Sequence, residues 1–487
     1  MKLAALLAGH PHDLLQGDAD TDVTGIATDS RQVRSGFLFV AVPGRRVDGH
    51  AHLEQAVEQG AVAALVSTTA HPLPSALTIA RVESTPVAAS LAASRLHGEP
   101  GRRMRVVSIT GTNGKTSTAA MLESVIAALS TAPVGVIGTG GPRVDGIPVP
   151  LKTTTPTTPQ AVELQPILRY MADQGAGTVV MEASSLALWQ HRLDHAFTDI
   201  GVFTNLSPDH LDDHGTMDAY KAAKLLLFSG MSSDAVVNTD DPVSQEILER
   251  MPRATTFGMD KTADFTARAF EVSATGTRFL LVHDGQEYPA HLPIPGRFNV
   301  ANALAAVAVC HRLGYETKAA LHALETLPQI PGRMETLRRA DGTSIVVDYA
   351  HSADSLEKTL RTLREVSSGR LLTVFGCGGD RDASKRIPMG SLAGHLSDHV
   401  VITSDNPRTE DPETIINAVE RGVRTTDTPY DRITDRRAAI ARALSLAEPG
   451  DTVLVAGKGA ETYQLIGEAA LPFEDMAVVR ELTDTAA

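Results

Sequence analysis

The sequence predicts an α/β fold in three units, on three observations. Short runs rich in Val, Ile and Leu alternate with helical patterns along the chain, the signature of sheets covered by helices. A glycine loop stands between one such run and the helix after it. Proline and glycine break the alternation twice, at Gly98-Glu99-Pro100-Gly101 and at Pro328-Gln329-Ile330-Pro331-Gly332, and it restarts each time. At roughly 150 residues per domain, 487 residues make about three units, with bounds expected at 1–98, 99–331 and 332–487.

The elements follow in order. Met1-Lys2-Leu3-Ala4-Ala5-Leu6-Leu7-Ala8 reads as a short helix. It is too short for a secretory signal, and His10, His12 and Asp13 follow at once. Residues 37–42 read as a strand, 52–59 as a helix ending at Gly60, and 61–66 as the next strand. In the central unit, 105–110 is a strand, a glycine loop follows, and 116–129 is helical. Further strands are expected at 134–138, 178–182, 200–204 and 235–238, with helices between most of them, hence a mostly parallel sheet. Residues 260–291 lack helical periodicity and read as a small antiparallel insertion. The last unit repeats the rhythm with strands at 344–348, 371–375, 399–403 and 452–456, a Rossmann-like α/β domain.

Composition narrows the function. Apolar residues make up 43%, enough for real cores, and aromatics only 4%. A formal net charge of −14 argues against a nucleic-acid partner, which needs a positive surface. Phosphorylated small molecules remain open, because a local loop can bind anions inside an acidic protein. Cys310 and Cys377 form neither a disulfide framework nor a zinc spacing, so a reducing cytoplasm is expected. No stretch approaches the ~18 apolar residues that cross a bilayer, so no membrane insertion is expected.

The strongest motif is Thr110-Gly111-Thr112-Asn113-Gly114-Lys115-Thr116, between a predicted strand and a predicted helix. Glycines allow a tight turn, so that successive N–H groups and a helix N-terminus face phosphate oxygens. Lys115 can reach the β- and γ-phosphates, and the Thr116 hydroxyl can ligate Mg2+. The match to G-x-x-x-x-G-K-[ST] is partial, since Ile109 stands where the first glycine would. Glu182 closes the run Val179-Val180-Met181-Glu182 at a strand's carboxyl end, where open α/β sheets carry their chemistry. A carboxylate there suits a hard cation, although a lone strand-end Glu is more often just solvated.

The glycine loop resembles the signature of the Mur ligases and folylpolyglutamate synthetases, which make acyl phosphates from carboxylates and ATP and capture them with amines. The resemblance covers the whole chain. Asn205-Leu206-Ser207-Pro208-Asp209-His210-Leu211-Asp212 resembles a family segment whose His binds metal, which implies that role for His210. An ordinary loop histidine is the alternative. Lys224 matches a family lysine that is carbamylated into a carboxylate-like metal ligand; Lys221 is the lesser choice, and an unmodified surface lysine is the alternative. The implied Mg2+ ligands are thus Thr116, Glu182, His210 and carbamylated Lys224.

Further segments extend the resemblance. Pro295-Gly296-Arg297-Phe298-Asn299-Val300-Ala301-Asn302-Ala303 implies adenine contacts from Asn299 and Asn302, with a helix N-cap the alternative for Asn299. Gly332-Arg333-Met334-Glu335 implies a hinge whose Arg333 reaches the ATP phosphates, and Val346-Val347-Asp348-Tyr349-Ala350-His351 implies that Asp348 meets the ribose. With Gly111, Thr112, Asn113, Gly114, Lys115 and Thr116, these make up the expected ATP site. Asp29-Ser30-Arg31, Asp48-Gly49-His50 and Thr157-Thr158-Pro159 resemble parts of the family that bind a UDP-linked muramyl-peptide precursor, which implies contacts from Ser30, Thr157, Thr158, Ser184 and Arg192. Asp405-Asn406-Pro407-Arg408 resembles the motif of members that add meso-diaminopimelate, in keeping with an Arg fork that grips a carboxylate bidentately. A salt bridge to Glu410 or Asp411 is the alternative for Arg408. Arg381, Asp405, Asn406, Gly457 and Glu461 complete the implied amino-acid site.

The expectation is a cytoplasmic, monomeric, ADP-forming ligase whose partners are ATP, a UDP-muramyl dipeptide and diaminopimelate, with Mg2+ as cofactor. The alternatives are a paralogue adding L-lysine or another amino acid to a related carrier, a folylpolyglutamate synthetase, and a nucleotide-binding protein without turnover. Departures from common family residues fall at Leu186, Pro208, Asp213, Ala460 and the loop Lys385-Arg386-Ile387-Pro388, and leave Lys115, Glu182, His210 and Lys224 untouched.

Overall fold

The computed structural model describes residues 1–44 and 47–484. It contains three sheets of more than two strands, each made where apolar runs are buried on both faces. The N-terminal sheet has five strands in the order His12–Gln16, Thr78–Val82, Ala63–Val66, Phe37–Val40, Gly25–Ala27. Only the first pairing is antiparallel. Ala88, Ala89 and Ala92 of the helix Thr85–Leu96 cover one face beside Leu38, Val40 and Leu65. The N-terminal helix is short, Leu3–Leu7, and buries Leu3, Leu6 and Leu7 in the same cluster.

The central sheet has eleven strands. Its parallel heart runs Val134–Ile137, Thr178–Glu182, Arg105–Thr110, Thr198–Phe203, Ser232–Asn238, Thr255–Gly258. Strand order reverses direction at Arg105–Thr110, so a crevice opens beyond its carboxyl end, where ligands bind in open α/β sheets. The helices Lys115–Leu129 and Arg297–Arg312 share one face, burying Leu122, Val125, Leu304 and Val307.

Residues 260–291 are antiparallel as expected, but they extend the central sheet rather than forming a separate insertion. They supply Phe265–Ser273, Gly276–His283 and the start of Gln286–Leu292, an antiparallel extension joined to the sheet by the parallel pair Phe257↔Phe265. Phe265, Ala267, Phe279 and Leu281 point inward and join the cluster under the helix Arg297–Arg312, which is why these strands stay with the sheet.

The C-terminal sheet has six strands in the order Glu335–Arg338, Ser344–Asp348, Thr452–Ala456, Leu371–Phe375, His399–Ile402, Tyr430–Arg432, parallel after the first pair. One apolar cluster runs from Val107 and Ile109 of the central sheet through Leu304 to Leu356 and Leu360 of the C-terminal helix Ala353–Val366, so the last two units share a core. No described helix is long and apolar enough to cross a membrane.

Candidate active site

The glycine loop is built by its neighbours. Gly114 has φ +88°, and a Cβ there would overlap Asn302 Oδ1, so this turn requires glycine. Asn205 fastens the loop from the next strand end: its Oδ1 accepts from Asn113 N at 3.0 Å and its Nδ2 donates to Asn113 O at 3.1 Å. The Thr112 hydroxyl donates to Ser207 O and shares a hydrogen bond with the Tyr220 hydroxyl, both at 3.1 Å. Lys115 folds back to donate to Gly111 O and Thr112 O, each at 2.9 Å. Lys224, on the helix Met217–Leu225, donates to Gly111 O at 2.8 Å and lies over the Tyr220 ring. Burial holds the Lys115 ammonium below its ordinary value, opposed in part by Glu182. Burial and the Lys115 charge hold Lys224 well below.

Glu182 faces this loop. Its Oε2 accepts from the Thr116 hydroxyl at 3.0 Å, and its Oε1 from Thr139 N at 2.8 Å. Arg333 crosses from the hinge to donate to Thr116 Oγ1 at 3.0 Å, its guanidinium lying over the Tyr349 ring at 4.4 Å. A hydroxyl and a carboxylate side by side are the hard oxygen donors that Mg2+ takes, so this corner fits the cation. Lys224 fits only as a carbamate, since its ammonium has no lone pair to give.

His210 begins the short helix Leu211–His214 with φ +55°. Its imidazole is lowered to about 4, chiefly by removal from water and against the pull of Asp209, which leaves the neutral ring a metal needs. Asp209 Oδ2 lies 3.8 Å from His210 Nε2 and 3.4 Å from His351 Nε2 of the C-terminal unit. Burial pushes the Asp209 carboxyl up, but the His351 hydrogen bond and both histidines overcome it and hold the group far below the carboxylate range. Ligand atoms of His210, Asp212 and Asp213 lie within 4.8 Å of one another.

Beside Glu182 sits a polar wall. Thr158 Oγ1 donates to Glu182 O at 2.7 Å, and Arg192 donates to Thr158 O at 2.8 Å. Burial pulls the Arg192 guanidinium down to about 10. Ser184 caps the helix Ser185–Trp189 through Ala187 N.

The C-terminal unit supplies the facing wall. Asp348 is buried, accepting from Met334 N at 2.8 Å and Ala350 N at 3.0 Å, so its carboxylate also shapes the hinge. Burial pushes it up, against Arg333. Arg381 reaches across to Asp212 at 2.9 Å and Asp213 at 3.7 Å. Asn406 Nδ2 donates to Glu461 Oε2 at 2.8 Å, and Arg408 to Gly379 O at 2.7 Å.

Two of the weighed alternatives are corrected. Asn299 is not an N-cap: Gly296 holds that position, and Asn299 sits in the first turn, donating to Pro295 O and accepting from Asn302. Glu410 pairs with Arg386 rather than Arg408, one N–H of which donates to Gly379 O.

A cleft of about 500 Å³ brings most of the expected residues together. Thr112, Asn113, Gly114, Lys115, Thr116, Thr157, Thr158, Glu182, Ser184, Arg192, His210, Lys224, Asn299, Asn302, Arg333, Asp348 and Arg381 all line it. A second cavity of about 630 Å³ adjoins it, sharing Thr116, Thr139, Glu182, Arg333 and Tyr349, and reaches Lys458 and Glu461. Asp405, Asn406, Arg408 and Gly457 line neither cavity: the first three follow the strand His399–Ile402, and Gly457 opens the loop after Thr452–Ala456 that also carries Glu461. Ser30 lines neither cavity and bonds Gln55 Oε1 at 2.7 Å in the N-terminal unit. Sequence reasoning gave no role to Asn205, Tyr220, Asp209 or His351. All but Tyr220 lie inside quoted motifs, which was the available signal.

The chain matches the descriptions "Mur ligase family, catalytic domain" over residues 22–98, "Mur ligase middle domain" over 109–310 and "Mur ligase, glutamate ligase domain" over 332–459. It is 40% identical over 483 residues to UDP-N-acetylmuramoyl-L-alanyl-D-glutamate–2,6-diaminopimelate ligase 2 of Clostridium acetobutylicum, covering 99% of this chain and 100% of that one. It is 42% identical over 472 residues to the Synechocystis enzyme named UDP-N-acetylmuramoyl-L-alanyl-D-glutamate–2,6-diaminopimelate ligase, covering 94% and 92%. A solved structure of a ligase of the same name superposes with a TM-score of 0.70 at 32% identity, covering 100% of this chain and 99% of that one.

Proposed function

This chain belongs to the Mur ligase family, and from that premise we propose that it is an ADP-forming ligase adding 2,6-diaminopimelate to UDP-N-acetylmuramoyl-L-alanyl-D-glutamate. One observation carries the reading. A phosphate loop, a carboxylate beside a hydroxyl, a polar wall at Thr158 and Arg192, and two arginines of the C-terminal unit all line one cleft.

The chemistry needs such a cleft. A substrate carboxylate oxygen attacks the γ-phosphorus of ATP and ADP leaves; the amine nitrogen then attacks the acyl carbon, expels phosphate and sheds a proton. The loop N–H groups of residues 111–116, Lys115 and Arg333 hold the phosphates in line, which is most of what phosphoryl transfer asks of a protein. Asn299 and Asn302 take the base and Asp348 the ribose. Thr157, Thr158, Ser184 and Arg192 hold the peptide end of the precursor, with Ser30 on its uridine side. Arg381, Asp405, Asn406, Arg408, Gly457 and Glu461 take the amino acid. Thr116, Glu182, His210 and Lys224 as a carbamate would hold Mg2+, which when bound screens the phosphates and stabilises charge on the transferring group. The depressed Lys224 supports the carbamate, because only a free amine adds carbon dioxide. The three units 1–98, 99–331 and 332–487 are read as precursor-binding, ATP-binding and amino-acid-binding domains of a cytoplasmic monomer.

The test is phosphate release with purified protein, Mg2+ and ATP. Turnover is expected only when the UDP-dipeptide and diaminopimelate are both present. Equal turnover with either omitted, or with a folate substrate in their place, overturns the reading.

A further inference from the structure

The larger of the two cavities, about 630 Å³, touches the glycine loop only at Thr116. From there it follows one face of the helix Lys115–Leu129. Thr116, Ala119, Ala120, Glu123, Ser124 and Ala127 all line it, at the spacing of successive helical turns. Those positions span about 16 Å of helix at 1.5 Å per residue. The facing walls are residues 327–331 and the strand residues Val134 and Val136. Pro328 and Pro331 each fix one φ in the first of these walls. The inner end is the corner where Thr116, Thr139, Glu182, Arg333 and Tyr349 also line the cleft. The outer end lies at Ala127, Thr131, Pro328 and Gln329, all exposed. The cavity is thus a passage from solvent to the reacting corner that does not run through the cleft.

The reaction gives such a passage a task. ATP and the precursor meet in the cleft, and the acyl phosphate they form must then be reached by an amine while water is kept away. Departing phosphate is the other traveller, and the charges decide between them. Among the described residues the lining carries four acids, Glu123, Asp145, Glu182 and Glu461, and three cations, Arg143, Arg333 and Lys458. Arg143 is held on Glu123, Nε to Oε1 at 2.8 Å and Nη2 to Oε2. Lys458 is held on Glu461 at 2.8 Å. Arg333 and Glu182 meet on the Thr116 hydroxyl. Each cation is matched by an acid, and Asp145 is left over near the mouth. A phosphate dianion meets net repulsion along this way out, whereas an amino acid carrying both signs crosses it with no net charge.

We propose that this passage is the entry route of the amine substrate: ATP and the precursor fill the cleft, and the amino acid reaches the acyl phosphate along the helix Lys115–Leu129. This rests on the ligase reading above.

The experiment closes the mouth reversibly. Cys310 and Cys377 are buried, so a bulky methanethiosulfonate reacts at the new thiol of Ala127→Cys. Ala128→Cys, exposed but outside the lining, is the control. With ATP and UDP-dipeptide saturating, labelled Ala127→Cys is expected to lose about tenfold in kcat/KM for diaminopimelate, through KM. KM for ATP and for UDP-dipeptide is expected to hold within about twofold. Hydroxamate formation from hydroxylamine, a nucleophile small enough to pass the label, is expected to hold as well. Dithiothreitol, which removes the label, is expected to restore diaminopimelate use. An unchanged kcat/KM for diaminopimelate in labelled Ala127→Cys overturns the proposal, and so does an equal loss in labelled Ala128→Cys. A fall in kcat alone, shared by both nucleophiles, assigns the passage to departing phosphate and overturns it too. If the wild type uses another amino acid instead, the diaminopimelate reading fails and the same comparison is made with that amino acid. If it ligates none, the ligase reading and the proposal fall together.

Discussion

Lys115 and Lys224 donate to one acceptor, the carbonyl oxygen of Gly111, at 2.9 and 2.8 Å. Burial, and with it the neighbouring Lys115 ammonium, holds Lys224 well below its ordinary value. A Lys224 that gives up its proton becomes a nucleophile for carbon dioxide, and the resulting carbamate is an anion beside Lys115. With 13C-labelled bicarbonate, wild-type protein is expected to show a carbamate carbon resonance that Lys224→Arg lacks. Lys224→Arg keeps a cation but cannot form the carbamate, and turnover is expected to fall by about 10²-fold or more. A fully active arginine variant would remove the carbamate from the mechanism.

Arg381, proposed above as an amino-acid contact, is already paired within the protein. Its guanidinium bridges to Asp212 and Asp213 of the central unit, across 169 positions in sequence. An incoming carboxylate must compete with these acids. The pair is half exposed and worth at most about 1 kcal/mol, so Asp212→Asn is expected to lower KM for the amino acid by about threefold. Initial rates at saturating ATP and UDP-dipeptide decide it. A raised KM with a lowered kcat would instead mean that the bridge belongs to the closed, working state.

Behind the loops that open at Asp405 and Gly457, Arg436 and Asp475 form an ion pair with both side chains 0% exposed. The guanidinium also donates to Ser404 O at 3.4 Å and Ala456 O at 3.0 Å, the residues just before Asp405 and Gly457. Breaking a buried pair strands a charge, so Asp475→Asn is expected to destabilise by about 3–5 kcal/mol. Replacing both partners with apolar residues, Arg436→Met with Asp475→Leu, is expected to recover most of that stability. KM for the amino acid should stay raised, because both carbonyl clamps are gone. Denaturant melts and kinetics on the same three proteins separate the two effects.

What could be read from the sequence follows local physics. Thr178–Glu182, Leu371–Phe375 and Thr452–Ala456 are buried at every position, so their apolar runs stood out. Thr78–Val82 carries an exposed Arg81 and Tyr430–Arg432 is polar throughout, so neither announced itself as a strand. Motif residues that are neighbours in sequence, such as Gly114 and Lys115, were legible because one turn makes the site. Contacts such as Asn113 with Asp354, 241 positions apart, depend on how two units meet, which no local pattern encodes.

The turn at Gly332 meets the loop of Gly459 and Ala460 backbone to backbone, which gives a last prediction. Gly332 has φ +63°, and a Cβ there would overlap Ala460 N and approach Gly459 Cα to 2.6 Å. Gly459, with φ +51°, faces it in turn, its own Cβ falling 2.8 Å from Gly332 O. Backbone cannot swing aside as a side chain does, so Gly332→Ala must push the loop carrying Glu461 away from the hinge carrying Arg333. Gly342→Ala is the control: its φ is +88°, but the nearest atom to its Cβ lies 3.8 Å away. The control carries only the left-handed strain of about 1–2 kcal/mol, whereas Gly332→Ala adds the overlap. A further loss of stability is expected in Gly332→Ala, with about tenfold lower kcat/KM for the amino acid and KM for ATP much less affected. Equal losses in the two variants would mean that the contact between hinge and loop plays no part in capturing the amine.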